Sequence, residues 1–132
     1  MHFLLARSLN IPVALENPQG SWLWKLPCIL RILGLGNVEL TTVDYCAYGK
    51  AWRKRTCVMS CHLPTERFEG HLCHGRGICS FSLRPHIQLM GQNKDGQFLT
   101  KIAEPYPAEF SSQLAAAFSD GIAAKQVSSF LR

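Results

Sequence analysis

Cysteine and histidine crowd into one stretch of the chain: Cys57, Cys61, His62, Cys73, His74, Cys79 and His86 fall within thirty residues. Thiolate sulfur and imidazole nitrogen are the ligands of closed, four-coordinate zinc sites. A Cys61, Cys73, Cys79, His86 set would supply one, with eleven, five and six residues between successive ligands. That spacing lacks the paired two-residue knuckle of zinc fingers, so the same residues also read as partly buried free thiols beside surface histidines. Metal would explain one thing that free thiols do not. From Cys61 to Gly96 the sequence is Gly, Pro, Cys, His and Arg with little periodicity, and so long a loop-rich insert needs something to hold it. Structural zinc can supply folding free energy on the order of 10 kcal/mol.

A second chemical candidate lies near the start. The apolar run Pro12, Val13, Ala14, Leu15 delivers a carboxylate, Glu16, followed at once by Asn17 and Pro18. Val13 to Leu15 suit a buried parallel strand, and Pro18 with Gly20 turns the chain where that strand ends. In open α/β sheets ligands sit at the carboxyl ends of strands, which makes Glu16 a candidate for chemistry. It reads equally as a strand-end acid, solvated or salt-bridged at a turn.

The elements that must position these groups follow from pattern. A chain of 132 residues with 47% hydrophobic content suits one domain with a core of its own. A formal charge of +5 fits a nucleic-acid partner without demanding one. No run of about 18 apolar residues is present, so no transmembrane helix is expected and no membrane partner. The opening MHFLLARSLN is interrupted by Arg7 too soon for a signal peptide and reads as helix. Six cysteines without such a signal favour reduced thiols and an intracellular protein, nuclear if the source is eukaryotic. A disulfide framework is the alternative if the chain is exported.

Trp22 to Leu35 reads as a leucine-rich helix starting near Pro27 and stopped by Gly34 and Gly36. Val38 to Cys46 is β-branched and alternating, hence a strand. Tyr48–Gly49–Lys50 turns into the basic cluster Arg53, Lys54, Arg55, and Thr56 to Ser60 is a further short strand. Residues 107–131 read as a closing helix led by Pro107, with a break near Gly121. The order helix, strand, helix, strand, strand, loops, helix is α/β in character, with about three strands.

Two segments together resemble the cytosine-5 DNA methyltransferases, especially short, divergent phage versions. ALENPQGSWLWKLP is similar to the family's Glu-Asn-Val motif in a Glu-Asn-Pro form, and VDYCAYGKAWRKRTCVMS to its later strand, Tyr-Gly turn and Arg-x-Arg block. TKIAEPYPAEFSSQLAAAF is similar to the closing Pro-led turn and helix. The resemblance implies a partial Rossmann-like sheet across residues 1–132, with residues 61–96 as a short Cys/His-rich insert where the family places target recognition. It implies S-adenosylmethionine as cofactor and DNA as partner. Methylation at carbon 5 needs a flipped base whose ring is made electrophilic. By resemblance Glu16 would face the base, with Asn17 shaping the turn and Arg53 or Arg55 holding the base carbonyl or a phosphate. The basic cluster taken alone is also an ordinary exposed turn.

The family's Pro-Cys nucleophile and glycine-rich cofactor loop have no counterpart before Glu16. Pro27–Cys28 lies after it in an apolar helical run, where a buried structural cysteine is expected. The expectation is therefore a chain inactive by itself, the C-terminal half of such a domain, completed if at all by a separate N-terminal half. The alternative is a small zinc-stabilised module that binds nucleic acid or protein. Arg67, Arg76 and Arg84 suit phosphate contacts if DNA is bound and otherwise read as plain solvated arginines.

Overall fold

The computed structural model describes residues 2–131. Helix α1 (His2–Ser8) leads into strand β1 (Val13–Pro18). A 3-10 turn at Trp22–Lys25 follows, capped by the Ser21 hydroxyl, which accepts from the Leu23 amide. Helix α2 (Pro27–Leu33) begins at the proline whose fixed φ suits a first turn, and Gly34 ends it. Strand β2 (Val38–Asp44) runs directly into a 3-10 turn at Tyr45–Tyr48, closed by Gly49 at φ +83°. Strand β3 (Arg55–Cys61), a short turn at Glu66–Phe68, helix α3 (Leu99–Ile102) and helix α4 (Ala108–Phe130) complete the order. The structure is thus mixed α/β, with a Cys/His cluster and a C-terminal helix. Residues 69–98 are irregular, as their lack of periodicity predicts. Among the described residues no helix is long and apolar enough to cross a membrane.

The sheet has the order β1-β3-β2, and both pairings are antiparallel. A Rossmann-like sheet would be parallel, so the strand order does not support that part of the expectation. The reason lies in β3. Strands β1 and β2 run in the same direction and are joined by α2 as in a βαβ unit, but β3 inserts between them and pairs with each. Val13 to Leu15 therefore form an edge strand rather than a central one.

Strand alternation sorts the two faces. Val13, Cys61 and Val38 lie opposite one another, as do Leu15, Met59 and Leu40. Met59 and Cys61 pack on this side against Phe3 of α1 and Ile29 and Ile32 of α2. Residues of the other parity, Val43 and Val58, join Tyr45, Tyr48, Leu63, Phe68, Phe110 and Ala117 in the larger core. Burying a side chain of the Val, Leu or Phe class stabilises by about 1.5–3 kcal/mol, and β3 contributes to both layers.

Helix α4 is continuous through Gly121. That glycine allows close crossing rather than a break: a Cβ there would lie 2.7 Å from the His62 carbonyl and 2.9 Å from the Pro12 ring. Cys28, expected to be buried, is exposed on α2. The buried stripe of this helix is Ile29 and Ile32, three residues apart, and Cys28 falls outside it.

Candidate metal centre

Four side chains from three parts of the chain converge: the ligand atoms of Cys46, Cys73, Cys79 and His86 all lie within 4.8 Å of one another. Cys46 sits in the 3-10 turn after β2, which Tyr45 and Tyr48 anchor by packing on Phe110 at ring-centroid distances of 5.8 and 5.3 Å. Cys79 and His86 belong to a tight hairpin. The Cys79 amide donates to the Arg84 carbonyl at 2.8 Å and the His86 amide to the Gly77 carbonyl at 3.1 Å. The Ile87 amide ties the hairpin to the Ala51 carbonyl at 2.9 Å. Gly75 lets the chain pass beneath it: a Cβ there would run into the Ile78 carbonyl, which no side chain tolerates.

The donors fit a tetrahedral cation. In a zinc site, sulfur and nitrogen ligands sit about 3.6 Å apart and sulfur pairs about 3.8 Å apart. Cys73 Sγ and His86 Nε2 are separated by 3.6 Å, and a contraction of the 4.8 Å outer limit closes the rest. Cys46, Cys73 and Cys79 are buried and His86 is half-buried, which suits a closed site.

Electrostatics prepare two of the three thiols. Burial opposes charge on Cys73, but the Ser80 hydroxyl and amide, the Gly75 amide and the Cys46 thiol outweigh it and bring its pKa down to about 6. Burial likewise opposes charge on Cys79, and the amides of Ser82 and Phe81, with the Ser82 hydroxyl, lower it. Ser80 N and Phe81 N stand 3.4 Å from the Cys73 and Cys79 sulfurs respectively. Cys46 is pushed up, first by burial and then by donating to its two neighbours.

Three of the four residues expected as ligands, Cys73, Cys79 and His86, are here together; Cys61 is not. Strand β3 extends through Cys61, and alternation turns its thiol towards α1 and α2. Cys46 takes the fourth place. It closes a strand-like run well before Cys73, Cys79 and His86, so local composition does not group it with them. Its one signal is the Cys46-Ala-Tyr-Gly49 turn, whose left-handed glycine marks a tight corner.

Glu16, Arg53 and Arg55 are not brought together. Glu16 lies opposite Val58, and Arg55 opposite Asp44, so strand parity puts the acid and Arg55 on opposite faces of the sheet. Glu16 Oε2 accepts from the Tyr106 hydroxyl at 2.8 Å, which pushes the Tyr106 pKa up to about 12. Asn17 lies opposite Cys57, on the other face from Glu16. Both arginines turn to Asp44: Arg55 at 2.7 Å and Arg53 at 3.4 Å. At the far end of β3 a 520 Å³ cavity lined by Glu39, His62 and Lys125, among others, includes Cys61 but none of the four clustered ligands. No family model, curated protein or solved structure matches the chain.

Proposed function

We propose that this chain is a small zinc-stabilised module that binds nucleic acid through the lobe built around its metal centre. The convergence of Cys46, Cys73, Cys79 and His86 carries the reading. Two soft thiolates favoured by hydrogen bonds, a third thiol and a neutral imidazole suit zinc better than magnesium or calcium, which prefer oxygen. Cys46, Cys73, Cys79 and His86 would hold zinc with four protein ligands, so that the ion would supply cross-linking rather than an open position for water. The lobe has little else to order it, since from residue 69 to residue 98 only Cys73 and Cys79 are buried.

Charge supports the choice of partner. Arg76, Arg84 and Lys94 are exposed on the lobe without an ion pair among the described residues, and Lys50 lies over the Trp52 ring at 5.6 Å. Asp95 is the sole carboxylate between Gly70 and Ala103. Exposed guanidinium and ammonium groups on a lobe that also exposes Phe81 and Phe98 suit phosphate with stacked bases. The methyl-transfer reading has less support, since Glu16 and Arg55 lie on opposite faces of the sheet.

Metal content by mass spectrometry of protein purified without chelators tests the first half, with one zinc per chain expected. For the second half, affinity for a mixed-sequence oligonucleotide is expected to fall steeply with salt and to weaken in Arg76→Gln/Arg84→Gln. A folded, metal-free protein indifferent to chelators would refute the module. Salt-independent or absent oligonucleotide binding would refute the partner alone.

A further inference from the structure

The cluster is gripped from behind by charged side chains that cannot reach a metal. The Asp44 carboxylate is fully buried, yet it holds four donor contacts. It accepts the Cys73 amide at 2.7 Å, Arg55 Nε at 2.9 Å, Arg55 Nη2 at 2.7 Å and Arg53 Nε at 3.4 Å. The other pole of the same residue is held too. Arg53 Nη2 donates to the Cys73 carbonyl at 2.7 Å, and Arg55 Nη2 reaches it at 3.3 Å. Cys73 belongs to no helix or strand, so these side chains do for its backbone what a sheet ladder does elsewhere.

We propose that Asp44, Arg53 and Arg55 form a charged clamp on the Cys73 backbone that positions its thiolate and balances the charge of the metal centre. The inference rests on the zinc reading above. Three thiolates, a neutral imidazole and a divalent cation sum to one negative charge. Two guanidiniums and one carboxylate sum to one positive charge, placed against the ligand whose sulfur is most exposed to hydrogen-bond donors. Such outer groups set affinity through orientation and field, although they touch no metal. The clamp also joins the centre to the fold, because Asp44 ends β2 and Arg55 begins β3.

The test titrates zinc into the full chain against a chromophoric chelator, and records the cobalt(II) spectrum of the same samples. Wild-type protein is measured first; failure to bind metal there sinks the zinc reading itself. Given wild-type binding, Arg53→Gln is expected to weaken zinc about 10- to 100-fold and to shift the thiolate-to-cobalt charge-transfer band. Arg53→Lys, which retains the charge and a donor, is expected to recover part of the loss. Arg31→Gln removes the same charge from an exposed position on α2 and is expected to leave affinity within about twofold. Wild-type affinity and spectrum in Arg53→Gln would overturn the clamp, as would an equal loss in Arg31→Gln. If Arg53→Gln does not fold with metal present, Arg53→Lys decides. Affinity below wild type with an altered band supports the clamp, and an unchanged pair of readings refutes it.

Discussion

The two halves of this molecule differ in how much apolar surface they bury. The sheet half packs Phe110, Val58, Met59 and Ile32 between three strands and three helices, and apolar burial holds it. The lobe from residue 69 to residue 98 has no such core. Leu83 and Met90 are each 78% exposed, and its buried residues, Cys73 and Cys79, are two of the four clustered Cys/His side chains. Where side chains cannot be taken out of water in bulk, four directed bonds to a cation can do the ordering. On the zinc reading proposed above, the difference teaches that loop-rich sequence is compatible with a fixed shape when ligand chemistry replaces burial.

Metal removal should break the comparison most visibly. On chelation, amides of the hairpin between Gly77 and His86 are expected to lose hydrogen-exchange protection, while those of β3 keep theirs. Loss of protection in both halves together would show that they form one cooperative unit. Next in size, Gly75→Ala forces a Cβ into the Ile78 carbonyl. It is expected to abolish stoichiometric zinc uptake while leaving the far-ultraviolet signature of α4 in place. Phe110→Ala is the mirror experiment. It removes a fully buried ring from the larger core and is expected to cost about 3–5 kcal/mol in urea unfolding of the sheet half.

The smallest effect concerns the seam between the halves. Burial opposes charge on Asp44, but hydrogen bonds from Arg55 and the Cys73 amide, with the positive charge of both arginines, hold its carboxyl below the ordinary 3.8. A depressed folded-state pKa gives stability that is present above the unfolded value and lost as pH falls through the folded one. In chelated protein, which removes ligand protonation from the reading, stability is expected to hold until the pH drops below 3.8 and to decline there. Asp44→Asn is expected to be less stable at neutral pH and to lack this acid-side step.

Most of the sheet half was legible in the sequence. Pro27 and Gly34 bracket α2 because one favours a first helical turn and the other a stop. The alternation in Val38 to Asp44 and the run around Cys57 to Ser60 mark strands by their own composition. What could not be read was partnership. Period-two alternation says which residues share a face but not which neighbour a strand takes, so the antiparallel insertion of β3 stayed hidden, and with it the separation of Glu16 from Arg55. For the same reason Cys61 reads as a ligand in the sequence: local composition marks it as a ligand type, and only the length of β3 turns it towards α1. Cys46 was invisible as a ligand because what joins it to Cys73 is the Asp44 and arginine contact, which is tertiary.

The insertion of β3 has a consequence for how this chain acquires its shape during synthesis. Strands β1 and β2, made first, have no edge to offer one another, since the slot between them belongs to a segment not yet translated. Until residue 61 clears the ribosome, strands β1 and β2 lack the strand that pairs with each of them, and a pause before that point would leave both open to foreign chains.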